Sequence, residues 1–151
     1  VPIPAGWPGG ELRAIVARAD GGVAVLTDWD PPDAGTHYGV APVTAAGVAG
    51  PSVSGAQLAI GSAAVDATDR VWWPSSEGFV FLDQRLFVTR TDPTVTSTAA
   101  IAVTPPPATA TSRYAAAGAV VSGGIVIGYS DREVVPPLPL RYSARVVRLA
   151  P

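Results

Sequence analysis

The chain has 151 residues, 48% of them hydrophobic and only 15% charged, with a formal net charge of −2. Its basic residues are all arginines, scattered without a dense stripe, so composition argues against a phosphate-binding surface and nucleic acid is not an expected partner. With no cysteine there is neither a disulfide framework nor a thiolate metal site, and no apolar run is long enough to suggest a membrane-spanning helix.

In chain order, the opening segment VPIPAGWPGG lacks the charged and apolar regions of a signal peptide, and Val1 in a methionine-free chain fits a processed start. Sixteen prolines and sixteen glycines then break every apolar stretch before it reaches helical length. Between these breakers lie eleven short stretches rich in β-formers: Leu12 to Ala19, Gly22 to Thr27, His37 to Val43, Gln57 to Ile60, Arg70 to Trp73, Phe79 to Leu82, Arg85 to Thr91, Val95 to Thr104, Tyr114 to Val121, Gly124 to Tyr129 and Leu140 to Leu149. The class predicted is all-β, with little or no helix. Asp20-Gly21-Gly22 and Ser122-Gly123-Gly124 are hairpin turns in which glycine supplies positive φ. Gly22 to Leu26 and Gly124 to Ile127 are continuous apolar runs and the leading core candidates. In Arg141 to Leu149 one face carries Tyr142, Ala144 and Val146, while Arg141, Ser143 and Arg145 mark a wet face. The stretch TPPPATAT, Thr104 to Thr111, is expected to be a loop or arm.

One phrase occurs twice. GGVAVLTDWDPPDAGTHYGVAPV begins at Gly21 and GGIVIGYSDREVVPPLPLRYSARVV at Gly123, an offset of 102 residues at the glycines and 104 at Tyr38 and Tyr142. Each copy runs from a glycine pair through an apolar strand, an acidic cluster and a double proline to a strand opening on tyrosine. The repeat predicts two small sandwich units, residues 1–68 and 85–151, joined by a connecting segment at 69–84. The placement of Tyr38 and Tyr142 resembles the tyrosine corner of fibronectin type III and immunoglobulin-like sandwiches, whose hydroxyl caps a loop carbonyl.

Candidate sites are few. Asp28, Asp30 and Asp33 approach the alternating carboxylates that calcium accepts, but the glycine and late bidentate glutamate of an EF-hand are missing, and ordinary turn chemistry beside Pro31-Pro32 is the stronger reading. Trp29, Trp72 and Trp73 are candidate interface or sugar-contact residues; adjacent tryptophans on a strand face opposite ways, so one of Trp72 and Trp73 is expected in the core and the other at a surface. For catalysis there is one histidine, His37, and no nucleophile elbow, which leaves carboxylate pairs such as Asp66 with Asp69 or Asp131 with Glu133 in turns. No enzyme activity, cofactor or metal is expected.

Gly21 to Val43 and DRVWWPSS at Asp69 to Ser76 resemble minor tail proteins of bacteriophages that infect high-GC actinobacteria; residues 83–112 fall outside the resemblance. It implies a virion structural protein, in the tail or as a capsid-associated decoration, that binds other virion proteins and itself as a homo-oligomer. The alternative is a secreted spacer or carbohydrate-binding module, located outside the cell and using the three tryptophans.

Overall fold

The computed structural model describes residues 10–29, 37–59, 62–77, 85–103, 111–121, 124–133 and 141–149. Among them there are twelve strands, all paired antiparallel, and no helix. Three sheets form. The first is a meander of β1 (Glu11–Ala17), β2 (Val23–Trp29), β3 (His37–Val43) and β4 (Val53–Gly55). The second runs β5 (Leu58–Ala59), β7 (Val71–Glu77), β8 (Arg85–Thr91), β9 (Thr98–Ala102), with β6 (Ala64–Val65) also on β7. The third is a meander of β10 (Thr111–Val121), β11 (Gly124–Glu133) and β12 (Arg141–Leu149).

The second sheet is the middle layer. Side chains alternate across a strand, and on β7 both faces are apolar where they matter. Val71 and Trp73 join Ala24, Leu26, Tyr38 and Val40 of the first sheet in one core, together with Ala59 and Val95. Trp72 points the other way, and with Val88 it meets Ile125 and Ile127 of the third sheet in a second core. The repeated phrase thus builds the two outer meanders, β1–β3 and β10–β12. Each first strand is irregular near its middle, between Leu12 and Ala14 and between Ala115 and Ala117.

Segment 69–84 was expected to connect two units; it contains β7, and the first core draws on residues 1–68, on β7 and on Val95 alike. A 60- to 70-residue piece has little apolar surface to bury alone, and a shared central sheet gives each meander a face to cover. The two hairpins also differ in register: Tyr38 lies opposite Asp28, but Tyr142 lies opposite Arg132, two residues beyond the aligned position. An even shift keeps every side chain on its face.

The glycine-led strands alternate in burial: Ala24, Leu26, Ile125 and Ile127 are buried, while Val23, Val25 and Val126 are half-buried. On β12 the inward positions are Val147 and Leu149, opposite Ile127 and Ile125, and Val146 is 74% exposed. Of the face read from Tyr142, Ala144 and Val146, Ala144 and Val146 are exposed and point outward. The expected turn at Asp20 forms: Gly21 has φ +80°, the Asp20 carboxylate accepts the Gly22 N–H at 2.9 Å, and a Cβ on Gly22 would strike the Val43 carbonyl. The expected strand at 79–82 and most of TPPPATAT lie outside the described residues, and Thr111 is in β10.

A second close approach fixes the first core. Gly55, opposite Tyr38 across β3–β4, leaves room for the phenol ring, which a Cβ would overlap at its hydroxyl. Gly55→Ala is expected to lower stability by about 2 kcal/mol through overpacking. Gly128→Ala, with open space at its Cβ, is expected to be neutral or to stabilise by up to roughly 1 kcal/mol through the unfolded state. Urea unfolding of the two variants checks both signs.

Candidate functional site

Three turns meet at one end of the layers. They join β1 to β2 (Arg18–Gly22), β6 to β7 (Asp66–Arg70) and β8 to β9 (Asp92–Ser97). Two of them are built on the same device. In Asp66-Ala67-Thr68 the Asp66 carboxylate accepts the Thr68 N–H at 2.8 Å and the Thr68 hydroxyl at 2.7 Å. In Asp92-Pro93-Thr94 the Asp92 carboxylate accepts the Thr94 N–H at 2.7 Å and its hydroxyl at 2.6 Å. This is the Asx turn, in which a short acid replaces the backbone as acceptor two residues on. Asp66 also accepts the indole N–H of Trp72 at 2.7 Å, tying the turn to the second core. Asp92 further accepts from Thr96 and from the Ser97 hydroxyl.

Arg18 joins the turns. Its side chain is 9% exposed, and one terminal nitrogen donates to Asp69 Oδ2 and to the Pro93 carbonyl, both at 2.8 Å. Asp69 Oδ1 accepts the Ala19 N–H at 2.8 Å. Asp69 turns at φ 65°, which an acid tolerates, but Val95 turns at φ 57°, a genuine outlier for a β-branched residue. Val95 is fully buried in the first core, so the loop is bent to insert an apolar plug.

Between the second and third turns lies an open cleft of about 210 Å³, lined by Arg70, Arg90, Asp92, Thr98 and Ala99 among others. Arg90 stacks on Trp72, its guanidinium carbon 5.2 Å from the ring centre. The described residues include no ion pair for Arg70 or Arg90; the four salt bridges fall on Arg13 and Arg18.

The residues singled out from sequence fare differently. Trp72 and Trp73 are 2% and 0% exposed, so the expectation that one reaches a surface is corrected: the middle sheet has a core on each side and each ring fills one. Neither offers a face to a sugar or a partner. Trp29 lies on β2 opposite His37, and the side chains of both are outside the described residues. Tyr38 is buried and packs edge-on to Trp73 at 5.0 Å, but its hydroxyl bonds the Thr98 side chain at 2.8 Å. A strand hydroxyl of the facing sheet, not a loop carbonyl, is its partner, so Tyr38 pins two layers together and is no tyrosine corner; burial pushes its phenol up, against the opposing effect of the Thr98 bond. Tyr142 is on β12, with its side chain outside the described residues.

Of the calcium candidates, Asp28 is buried and its Oδ2 accepts from Arg13 Nε at 2.6 Å. That bond raises the Arg13 pKa, against the burial that lowers it. Asp30 and Asp33 lie outside the described residues, among which no group of three ligands gathers. Asp66 and Asp69 are consumed by turn bonds, and the side chains of Asp131 and Glu133 are not described. Arg18, Arg70, Arg90 and Asp92 were missed. The repeated Asp-x-Thr was the available signal for the turns; nothing local marks the arginines, because strand pairing brings them together.

No family model, curated protein or solved structure matches the chain.

Partial burial opposes ionisation of Asp66 and Asp92, but the bonds from Thr68 and Trp72, and from Ser97, Thr94 and Thr96, outweigh it and hold both carboxyls below the usual range. A depressed carboxylate contributes stability that is complete above its unfolded pKa of about 4 and is lost as pH falls through the folded value. Urea midpoints are therefore expected to fall as pH drops below about 4. Asp92→Asn should cost about 1 kcal/mol at neutral pH, as for loss of a cap, and flatten that acid limb.

Proposed function

We propose that the chain is a non-enzymatic structural protein of a virion, a phage minor tail or capsid-associated component, that acts through protein contacts. One observation carries the contact reading. Ile15, 58% exposed, lies on the outer face of the first sheet, and Val146, 74% exposed, on the outer face of the third. Leu12 and Val48 add further exposed apolar side chains. Exposed apolar side chains on the outer faces of the first and third sheets suit head-to-tail contact, which closes into rings or continues as tubes. The particle itself enters through the resemblance of Gly21 to Val43 and Asp69 to Ser76 to phage minor tail proteins. Burial of Trp72 and Trp73 removes two of the three contacts on which a carbohydrate module would rely.

Light scattering on the purified chain tests the reading. A mass several times 15.3 kDa is expected, returning to that of one chain when Ile15→Glu and Val146→Glu are combined. A single chain at about 100 µM, where any contact worth more than about 5.5 kcal/mol would be populated, would contradict it, the more so if that monomer were retained on polysaccharide.

A further inference from the structure

Strand β9, Thr98–Ala102, is the edge of the middle sheet, with β8 its one ladder neighbour among the described residues. The bonds at its two ends define which groups remain open. Asp92 N–H donates to the Ser97 carbonyl at 3.1 Å and Val103 N–H to the Leu86 carbonyl at 2.9 Å. Antiparallel ladders alternate bonded and non-bonded pairs, so Ala99 and Ile101 are in bonded pairs with Arg90 and Val88. The amides and carbonyls of Thr98, Ala100 and Ala102 then face away from β8. The edge reads Thr-Ala-Ala-Ile-Ala, with no charge, proline or bulge, and Ala99, Ala100 and Ala102 are exposed. Sheet proteins ordinarily block such an edge; among the described residues no strand pairs with this one on its outer side, and its side chains are small.

The Arg70 and Arg90 cleft opens at the start of the same edge, with Thr98 and Ala99 in its wall. Asp92 is there too, but its two oxygens are taken by Thr94, Thr96 and Ser97 within its own loop. Among the described residues no carboxylate pairs with either guanidinium, and their planar donors match a carboxylate. At about 210 Å³ the cleft is smaller than a typical small-molecule site and continuous with strand backbone, which favours a side chain carried on a chain over a free anion.

We propose that β9 is a docking edge for an extended segment of a partner protein, which adds a strand beside Thr98 to Ala102 and places an acidic side chain in the Arg70 and Arg90 cleft. This deepens the protein-contact reading by naming the chemistry of one partner; it does not require the virion assignment.

The test titrates the full chain, followed by amide NMR, with a capped peptide of alternating threonine and valine ending in aspartate, with its asparagine counterpart, and with inorganic phosphate. The aspartate peptide should bind about tenfold or more tighter than the asparagine one, as one charge-assisted contact implies, and shift the Thr98, Ala100 and Ala102 amides. Arg70→Gln should abolish that preference; it is chosen because Arg90 also supports Trp72. Ala100→Pro, which removes an outward N–H and no β8 bond, should lose both peptides while the protein stays folded by circular dichroism. Equal affinity for the two peptides, or no binding of either, overturns the proposal. Phosphate binding as tightly without moving the β9 amides overturns it in favour of a free-anion site, and self-association abolished by Ala100→Pro overturns it in favour of a second copy. A monomer that binds the aspartate peptide as described keeps this proposal and removes the assembly reading.

Discussion

The structure depends on the alternation of side chains along β7. A strand that belonged to one sandwich would bury one face and wet the other; β7 buries Val71 and Trp73 on one side and Trp72 on the other. Each tryptophan removes on the order of 150–250 Å² from water, roughly 4–6 kcal/mol by area as an upper bound. Either is a large share of the 5–15 kcal/mol that stabilises a typical domain. The outer meanders contribute Leu26 and Tyr38 from one side and Ile125 and Ile127 from the other, and they pack on opposite faces of the same middle sheet, one on Val71 and Trp73 and the other on Trp72 and Val88. The layers are stitched as well as packed: Tyr38 of the first sheet bonds Thr98 of the second.

The polar end of the molecule follows from that arrangement. Three turns must converge where the layers stop, and their backbone groups need partners. Asp66 and Asp92 supply them within their own turns, and Arg18 supplies them between turns. One cost is visible at Val95, whose left-handed backbone is worth about 1–3 kcal/mol of strain, offset by full burial of its side chain at about 1.5–3 kcal/mol. Others are the Arg18 Nε, Trp73 indole N–H and Ser76 hydroxyl, buried without a hydrogen-bond partner. Asp66 and Asp92 are saturated locally, and among the described residues Arg70 and Arg90 have no ion-pair partner. The chain thus combines a saturated acidic scaffold, a basic cleft and an open strand edge within a few residues of one another.

The all-β class and most strands were legible in the sequence because glycine and proline punctuate the chain and β-branched residues fill the gaps: His37–Val43 and Arg85–Thr91 match the expected spans. Strands β4 and β6 were not seen, since three residues and two residues show no period. The repeat itself was legible, but the way its two copies pack on opposite faces of one sheet was not, because nothing local to Val71–Glu77 says that both its faces find partners. For the same reason Trp72 and Trp73 were read as core plus surface. Alternation gives opposite directions and is silent about what lies at the end of each. The site was less legible than the fold. Arg70 and Arg90 are twenty residues apart and meet only through the β7–β8 ladder, where Trp72 lies opposite Arg90.

Native-state hydrogen exchange tests the shared middle sheet most directly. If β7 serves both cores, the amides of β2, β7, β8 and β11 open together with one highest free energy, and Trp72→Ala or Trp73→Ala lowers it in both outer meanders. Separate opening energies for β1–β3 and β10–β12, with Trp72→Ala felt only in β10–β12, would contradict the account and restore two independent units.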